Sequence, residues 1–107
     1  MGKDETGVKR MKKEILIEYF LSENARIILD KPDRVDINGL RFENIGGVRI
    51  IQTKNPFIQL VHTNYEGKIE YTQKFYLSDI QEITFYKHHD PEYNENEWEE
   101  LYKYSIP

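Results

Sequence analysis

The stretch of sequence that decides the fold class is VDINGLRF, residues 35–42. Its centre, Asn38-Gly39, is typical of a two-residue type I′ turn, in which both central positions need a positive φ angle. The flanking residues alternate between apolar and charged, so one face of the hairpin is apolar and the other carries opposite charges. The predicted register pairs Ile37 with Leu40, Asp36 with Arg41, Val35 with Phe42 and Arg34 with Glu43.

The composition of the whole chain also favours strands. Its 107 residues include 13 isoleucines and 8 tyrosines but a single alanine, Ala25. Isoleucine and tyrosine are enriched in strands, whereas alanine is the strongest helix former. The bias toward residues with AT-rich codons is typical of a low-GC genome, such as that of a Gram-positive bacterium, its phage, a thermophilic archaeon or a virus. A phage- or virus-associated protein is among the expectations, and codon bias carries no information on function.

Length and cysteine content limit the possible classes of protein. A chain of 107 residues corresponds to one domain. The absence of cysteine excludes disulfides, thiolate nucleophiles and zinc sites built on cysteine. No stretch resembles a signal peptide or approaches the roughly 20 apolar residues of a membrane span. We therefore expect a cytoplasmic protein with no membrane partner.

The charges are distributed unevenly along the chain. Residues 1–89 carry 14 lysines and arginines against 13 acidic residues, whereas residues 90–107 carry Lys103 alone against six acidic residues. Nonspecific affinity for nucleic acid comes from neutralising phosphates with basic side chains. A neutral body with an acidic end therefore makes nucleic acid a less favoured partner than a protein.

Three segments are expected along the chain. Residues 1–13 are polar and predict a flexible or frayed N-terminus. Residues 14–89 predict a β-barrel-like domain, and residues 90–107 predict an acidic helical segment packed on the same domain. Residues 14–21 fit both a strand and a helix. A strand is preferred there, because residues 22–24 supply a turn before the next apolar run at 26–29, and a helix is the alternative.

Glycines and breaks in alternation predict the further turns of the β domain. Gly46-Gly47 predicts a tight hairpin turn, and Tyr65-Glu66-Gly67 predicts a hairpin loop with Gly67 in the left-handed region. Alternation breaks at Ser78-Asp79, where we expect a bend, a bulge or a single helical turn. These turns predict a mainly β fold of five to seven antiparallel strands, arranged as a meander that forms a small barrel or curled sheet. The predicted pairs are Ile45 with Val48, Phe42 with Ile51, Val61 with Tyr71 and Phe57 with Phe75.

The acidic end predicts a C-terminal helix and a candidate binding site. Asp90-Pro91-Glu92 has the order of an N-cap, a first-turn proline and a first-turn acid. The spacing of Trp98, Leu101 and Tyr102 predicts a helical stripe that packs on the barrel, with the acids facing outward. Aromatic anchors surrounded by carboxylates suit a basic protein partner. The candidate partner-binding residues are Glu95, Glu99, Trp98 and Tyr102.

No catalytic, cofactor-binding or metal-binding residues are predicted. The glycines are explained by turns rather than by a phosphate-binding loop, and no serine lies in a nucleophile elbow. The cluster His88-His89-Asp90, with His62, contains the residue types of a metal site. Adjacent strand residues point to opposite faces, however, so we expect a solvated strand end.

A single-stranded nucleic-acid-binding barrel is the alternative function. Small barrels use aromatic side chains on the sheet surface to stack bases and basic side chains to contact the backbone. These residue types are interleaved with acids rather than clustered. The candidates are Tyr65, Lys68, Lys74, Tyr76, Tyr86 and Lys87.

The order of elements around residues 75–83, FYLSDIQEI, resembles two barrel families. A possible N-terminal helix followed by bent strands looks like an Sm-like or SH3-like barrel. A strand, Ser-Asp-Ile and a second strand, followed by a C-terminal helix, look like a pleckstrin-homology-type (PH-like) barrel. The glycine-containing RNA-binding signature of the Sm family is not present, and no site residue follows from either resemblance.

Together these features predict a small, non-catalytic binding or regulatory protein that acts through protein–protein contacts. A hydrolase or metal enzyme is the third class considered.

Overall fold

The computed structural model describes residues 13–88 and 97–105. Within these residues the chain forms two helices, seven strands and one 3-10 turn. Helix α1 occupies 13–22, helix α2 is Asn24–Asp30, and the 3-10 turn is Leu77–Asp79. The strands are β1 Arg34–Ile37, β2 Leu40–Phe42, β3 Ile45–Ile51, β4 Phe57–Thr63, β5 Ile69–Tyr76, β6 Glu82–His88 and β7 Trp98–Ser105.

The strands form two antiparallel sheets, which confirms a mainly β fold. Sheet A has the order β2-β1-β6-β7 and sheet B has the order β3-β4-β5. The predicted barrel is wrong, because the two sheets do not close on each other. After β2 the chain passes through Asn44 at a positive φ of 58° and enters sheet B instead of continuing the meander. The second edge of β1 pairs with β6, which is distant in sequence.

The first hairpin has the predicted turn and register. Val35 pairs with Phe42, and Asn38 and Gly39 have φ angles of 51° and 82°. The apolar side chains of β1 are buried, whereas Leu40 on β2 is 62% exposed, because β2 is a short strand at the sheet edge.

The charges on this hairpin pair along the strands rather than across them. The Arg34 guanidinium donates to the Asp36 carboxylate, and Arg41 lies 3.4 Å from the carboxylate of Glu43. Residues i and i+2 share a face of a strand, so these pairs compete with the predicted cross-strand pairs. The ladder ends at the pair of Val35 with Phe42, so the predicted pair of Arg34 with Glu43 is not part of it.

A Gly39→Ala variant is expected to lose about 1–2 kcal/mol of unfolding free energy, because a side chain is disfavoured at positive φ. The space around Gly39 is open, so only the backbone conformation is strained. Gly39→Asn is the matched control, and it is expected to lose less because asparagine adopts this conformation more readily. Chemical denaturation followed by circular dichroism measures both. Equal losses would contradict this explanation.

Residues 14–21 are helical, so the preferred strand prediction is wrong and the alternative is correct. Ile15 and Tyr19, which fit both a strand and a helix face, are 57% and 56% exposed, whereas Phe20 is buried at 3% exposure. The Phe20 ring stacks on Phe85 at 5.8 Å between ring centroids and meets the edge of Tyr104 at 4.8 Å. The apolar run at 26–29 lies in α2 rather than in a strand, with Ile27 fully buried. Packing against sheet A thus determines that residues 14–21 form a helix, although their sequence pattern fits both a helix and a strand.

Gly46-Gly47 is not a turn, which corrects the second hairpin prediction. Strand β3 runs through both glycines, and Ile45 pairs with His62 instead of Val48. A Cβ atom on Gly46 would lie 2.3 Å from Cγ2 of Thr63. Gly46 is therefore required for close approach of two strands and not for a turn.

The third hairpin and the break at Ser78-Asp79 are confirmed. Gly67 has a φ of 82° in the predicted loop, and the 3-10 turn occupies the predicted break. The register is shifted by one residue from the prediction, because a bulge separates the Thr63–Ile69 pair from the rest of the ladder. The observed pairs are Val61 with Thr72 and Phe57 with Tyr76.

The predicted C-terminal helix is wrong, because Trp98–Ser105 forms β7 and pairs with β6. Leu101 is an extra residue in β7, since Phe85 pairs with Tyr102 and the next residue, Tyr86, pairs with Glu100. Trp98 pairs with His88, so it lies on the opposite face of sheet A from Tyr102, and the predicted stripe is split. The proposed helix start at 90–92 lies outside the described residues, as does most of the predicted N-terminal segment at 1–13.

The core lies between the two sheets and the helices. Its buried side chains come from α1, α2, both sheets and the 3-10 turn. Among the described residues, no helix has the length and hydropathy needed to cross a membrane. The members with the lowest exposure are Phe85, Ile27, Ile58, Leu60, Ile83 and Val35.

Candidate functional site

An open cleft of about 1170 Å³ lies at one end of the molecule, with walls from both sheets. It collects the ends of β4 and β6, the starts of β5 and β7, and the connection from β2 to β3. The side chains that define its chemistry are Asp33, Arg41, Glu43, His62, Glu70, Tyr71, His88 and Trp98.

The wall from sheet B changes from apolar to polar along β4. Ile58 and Leu60 are fully buried in the core, and the next residue on that face, His62, reaches the cleft. His62 stacks on Tyr71 at 4.3 Å between ring centroids, and its Nε2 lies 2.6 Å from Oε1 of Gln73 in a hydrogen bond. These contacts hold His62 and Tyr71 as a preformed aromatic wall. Tyr71 remains 53% exposed.

The wall from sheet A is centred on Trp98, the single tryptophan of the chain. Its ring stacks on His88 at 4.6 Å, and the guanidinium groups of Arg34 and Arg41 lie 5.4 and 5.6 Å from its centroid. The indole Nε1 is buried and has no hydrogen-bond partner in the part of the chain that is described. A buried N–H donor without an acceptor is unfavourable. Because this N–H is buried, it reports on the packing around the indole ring rather than offering a contact to a ligand.

The arginines near Trp98 already have carboxylate partners. Arg34 donates to both oxygens of Asp36 at 2.9 and 2.7 Å, and this hydrogen bonding raises the pKa of Arg34. Arg41 pairs with Glu43, although both side chains remain about half exposed. Neither guanidinium is therefore in position to attract an external anion strongly.

The balance of fixed charge in the cleft is negative. Among the described residues, Asp33, Glu43 and Glu70 line it, against the guanidinium of Arg41. One oxygen of the Asp33 carboxylate accepts the backbone N–H of His88 at 3.1 Å. The cleft therefore favours cationic ligands.

The structure separates the candidate partner-binding residues. Trp98 lies in the cleft, and Glu99 is exposed on β7 opposite Lys87. Tyr102 pairs with core-facing Phe85, and its hydroxyl donates to the carboxylate of Asp30 at 2.5 Å. That hydrogen bond raises the pKa of Tyr102. Glu95 lies outside the described residues.

The residues of the alternative nucleic-acid surface are not brought together. Tyr86 lies in sheet A beneath the guanidinium of Arg34, whereas Lys74 lies in sheet B over the rings of Phe57 and Tyr76. Lys87 donates to the backbone carbonyl of Asp30 in α2, and Lys68 lies near Glu66 in the hairpin loop. Tyr65 is 98% exposed beside the cleft.

His62 and His88 both line the cleft, whereas His89 lies outside the described residues. Across residues 13–88 and 97–105, no three histidine or acidic side chains are placed to hold a metal ion. Sequence reasoning missed His62 and Tyr71 as a cleft wall because they face each other only after the bulge in β5.

The cleft offers aromatic faces and carboxylate acceptors. No protein-family model matches this chain, and neither a curated protein nor a solved structure matches it.

Proposed function

We propose that this is a small, non-catalytic binding protein that acts through protein–protein contacts, and that its cleft binds a basic segment of the partner. The observation that carries the proposal is the combination of three carboxylates with one arginine that is already paired. Such a site attracts lysine and arginine side chains and repels phosphate groups.

The aromatic side chains provide the second part of recognition. A basic side chain can place its charged group over an aromatic face and lay its apolar stem along the same surface. Tyr71 is partly exposed for such a contact, and Trp98 lines the same cleft. Because ring stacking already orders His62 and His88, binding has a small ordering cost.

The acidic residues around Trp98 extend the negative field beyond the cleft. Glu97 precedes β7, Glu99 and Glu100 belong to it, and all three are exposed. Charges near a binding site accelerate the encounter with a partner of opposite charge. In this proposal Trp98 contacts the partner, Glu99 contributes to attraction, and Tyr102 holds β7 against α2.

Single-stranded nucleic acid is the second candidate ligand. The observation that favours it is the exposure of Tyr65 and Tyr71 at the cleft, because exposed tyrosines can stack bases. The carboxylates around the same tyrosines oppose it. A direct comparison of basic peptides with oligonucleotides therefore separates the two functions.

The binding test uses the intrinsic fluorescence of Trp98 during titration with a lysine oligomer, a glutamate oligomer or an oligothymidylate. We expect the lysine oligomer to change Trp98 emission with an affinity that falls as salt increases, because salt screens exposed charges. The glutamate oligomer and the oligothymidylate are expected to have no effect. Tighter binding of oligothymidylate would contradict a protein partner and support the alternative.

A Glu43→Gln variant tests the location of the site. It removes one carboxylate and releases Arg41, so binding of the lysine oligomer is expected to weaken about tenfold, equivalent to about 1.4 kcal/mol. Glu18→Gln, on the exposed side of α1, makes the same charge change outside the cleft and is expected to bind like the wild type. Equal affinity for Glu43→Gln and wild type would exclude the cleft as the site.

A further inference from the structure

The turn of the first hairpin contains the single Asn-Gly dipeptide of the chain, Asn38-Gly39. An asparagine before glycine is prone to spontaneous loss of its side-chain amide, because glycine has no side chain to hinder the approach of its backbone nitrogen. In that reaction the nitrogen of Gly39 forms a bond to Cγ of Asn38, and the bond from Cγ to Nδ2 breaks. Nδ2 leaves as ammonia, with the proton from the Gly39 nitrogen. Water then opens the cyclic imide and leaves aspartate or isoaspartate at position 38.

In the folded chain the side-chain amide of Asn38 is held by the segment that connects the 3-10 turn to β6. Its Oδ1 accepts the backbone N–H groups of Gln81 and Glu82 at 2.8 and 3.1 Å. Its Nδ2 donates to the backbone carbonyl of Asp79 at 3.0 Å. The backbone N–H of Asn38 also donates to the carbonyl of Glu82, at 2.9 Å. Free rotation of the amide therefore requires three side-chain hydrogen bonds to break.

The backbone conformation of the turn is a second obstacle to the reaction. Asn38 and Gly39 have φ angles of 51° and 82°, as a type I′ turn requires. In such a turn ψ of the first central residue is about +30°. For an L-residue this angle places the next backbone nitrogen nearly opposite Cβ across the Cα–C bond, so the nitrogen of Gly39 points away from Cγ of Asn38. Attack therefore requires the turn to open.

We propose that Asn38 is a modification site that is closed in the folded chain and that reacts in chains whose first hairpin has opened. The product cannot restore the native contacts. An aspartate has no N–H group to donate to the carbonyl of Asp79, and isoaspartate adds a backbone atom to the two-residue turn. The modification therefore marks chains that have opened and hinders their return to the native hairpin. This proposal does not depend on the ligand of the cleft.

A Glu66→Asn variant provides a matched comparison within one molecule, because position 66 precedes the glycine of the β4–β5 hairpin. Gly67 has the same φ angle as Gly39, 82°, and a Cβ atom on either glycine would meet open space. The Glu66 side chain is 53% exposed, and the ammonium of Lys68 lies 3.8 Å from its carboxylate. The variant thus carries a second Asn-Gly dipeptide on an exposed turn, outside the segment that holds Asn38.

The test incubates the folded Glu66→Asn chain at mildly alkaline pH and follows both sites by proteolysis and mass spectrometry. Each rate is divided by the rate of the same site in guanidinium chloride, which removes the effect of neighbouring residues. Position 66 is expected to react at least about tenfold faster than Asn38 on this scale, because each hydrogen bond that must break slows the reaction about fivefold. Equal normalised rates, or a faster reaction at Asn38, would overturn the proposal.

A Gln81→Pro variant tests the hydrogen bonds themselves, because proline has no backbone N–H to donate to Asn38. Ile80, at φ −90° and ψ 122°, has the conformation that precedes a proline. Asn38 is expected to react about fivefold faster in this variant than in the wild type. Gln81→Ala, which keeps the N–H group, is expected to react at the wild-type rate.

Circular dichroism shows whether each variant is folded before the rates are compared. A folded Gln81→Pro chain that reacts no faster than Gln81→Ala would contradict protection by these hydrogen bonds. If Gln81→Pro does not fold, the comparison of positions 38 and 66 within Glu66→Asn decides.

Discussion

A Phe20→Ala variant is expected to lose about 3–5 kcal/mol of its free energy of unfolding. Phe20 is 3% exposed and is the side chain of α1 that contacts both Phe85 and Tyr104 in sheet A. Truncation removes buried apolar surface and leaves a cavity where the helix meets the sheet. Chemical denaturation followed by circular dichroism measures the loss.

Ile15→Ala is the matched control on the same helix. Ile15 is 57% exposed, and alanine has the higher helix propensity, so its loss is expected to be below about 0.5 kcal/mol. Similar losses for the two variants would show that α1 is not anchored through Phe20. The contact also matters for the cleft, because Phe85 and His88 belong to the same strand, β6. Phe85 points to the core, and His88 points to the other face and lines the cleft wall.

A Gly46→Ala variant is expected to lose about 2–3 kcal/mol, near the upper end of the usual effect of overpacking. The added Cβ would lie 2.3, 2.5 and 2.9 Å from three atoms of the Thr63 side chain, including its Cβ. A rotamer change of Thr63 does not relieve the last contact, so β3 and β4 must separate locally. Thermal or chemical denaturation measures the effect.

Gly47→Ala is the adjacent control. Its Cβ would lie 3.7 Å from Val61, which is an ordinary contact, and alanine lowers the entropy of the unfolded chain. We therefore expect a neutral or slightly stabilised protein. Replacing Thr63 by glycine in the Gly46→Ala variant is expected to recover part of the loss. No difference between the two alanine variants would contradict the close approach at Gly46.

The parts of the fold that could be predicted depend on local chemistry. Asn38-Gly39 and Gly67 form the predicted turns because asparagine and glycine adopt positive φ angles more readily than other residues. The break at Ser78-Asp79 is visible in the sequence because alternation changes phase there, and the 3-10 turn follows directly from it.

The parts that could not be predicted depend on contacts between distant residues. The Gly46-Gly47 dipeptide is typical of a turn. Glycine is required at position 46, however, because the Thr63 side chain on the neighbouring strand leaves no room for a Cβ atom. Residues 14–21 are helical because Phe20 packs on sheet A, and no local pattern contains that information. Trp98, Leu101 and Tyr102 have the spacing of a helical stripe, but pairing with β6 makes this segment a strand and places Trp98 and Tyr102 on opposite faces.

The candidate site was predicted only in part for the same reason. Trp98 stands out in the sequence as the single tryptophan within an acidic segment, and the structure places it in the cleft. His62 and Tyr71 carry no comparable signal, because they meet only in a register set by the bulge in β5. Tyr102 was predicted to contact a partner, yet its hydroxyl donates a hydrogen bond to the Asp30 carboxylate in α2.

The most direct test of the proposed basic-segment site is the indole N–H signal of Trp98 in a two-dimensional NMR titration. The chain has one tryptophan, so this signal is unambiguous, and the buried N–H has no acceptor among the residues described. Binding of a lysine oligomer is predicted to shift it progressively, with a weaker response in Glu43→Gln than in Glu18→Gln. A lysine oligomer that leaves the signal unmoved, or an oligothymidylate that moves it instead, would contradict the proposed function.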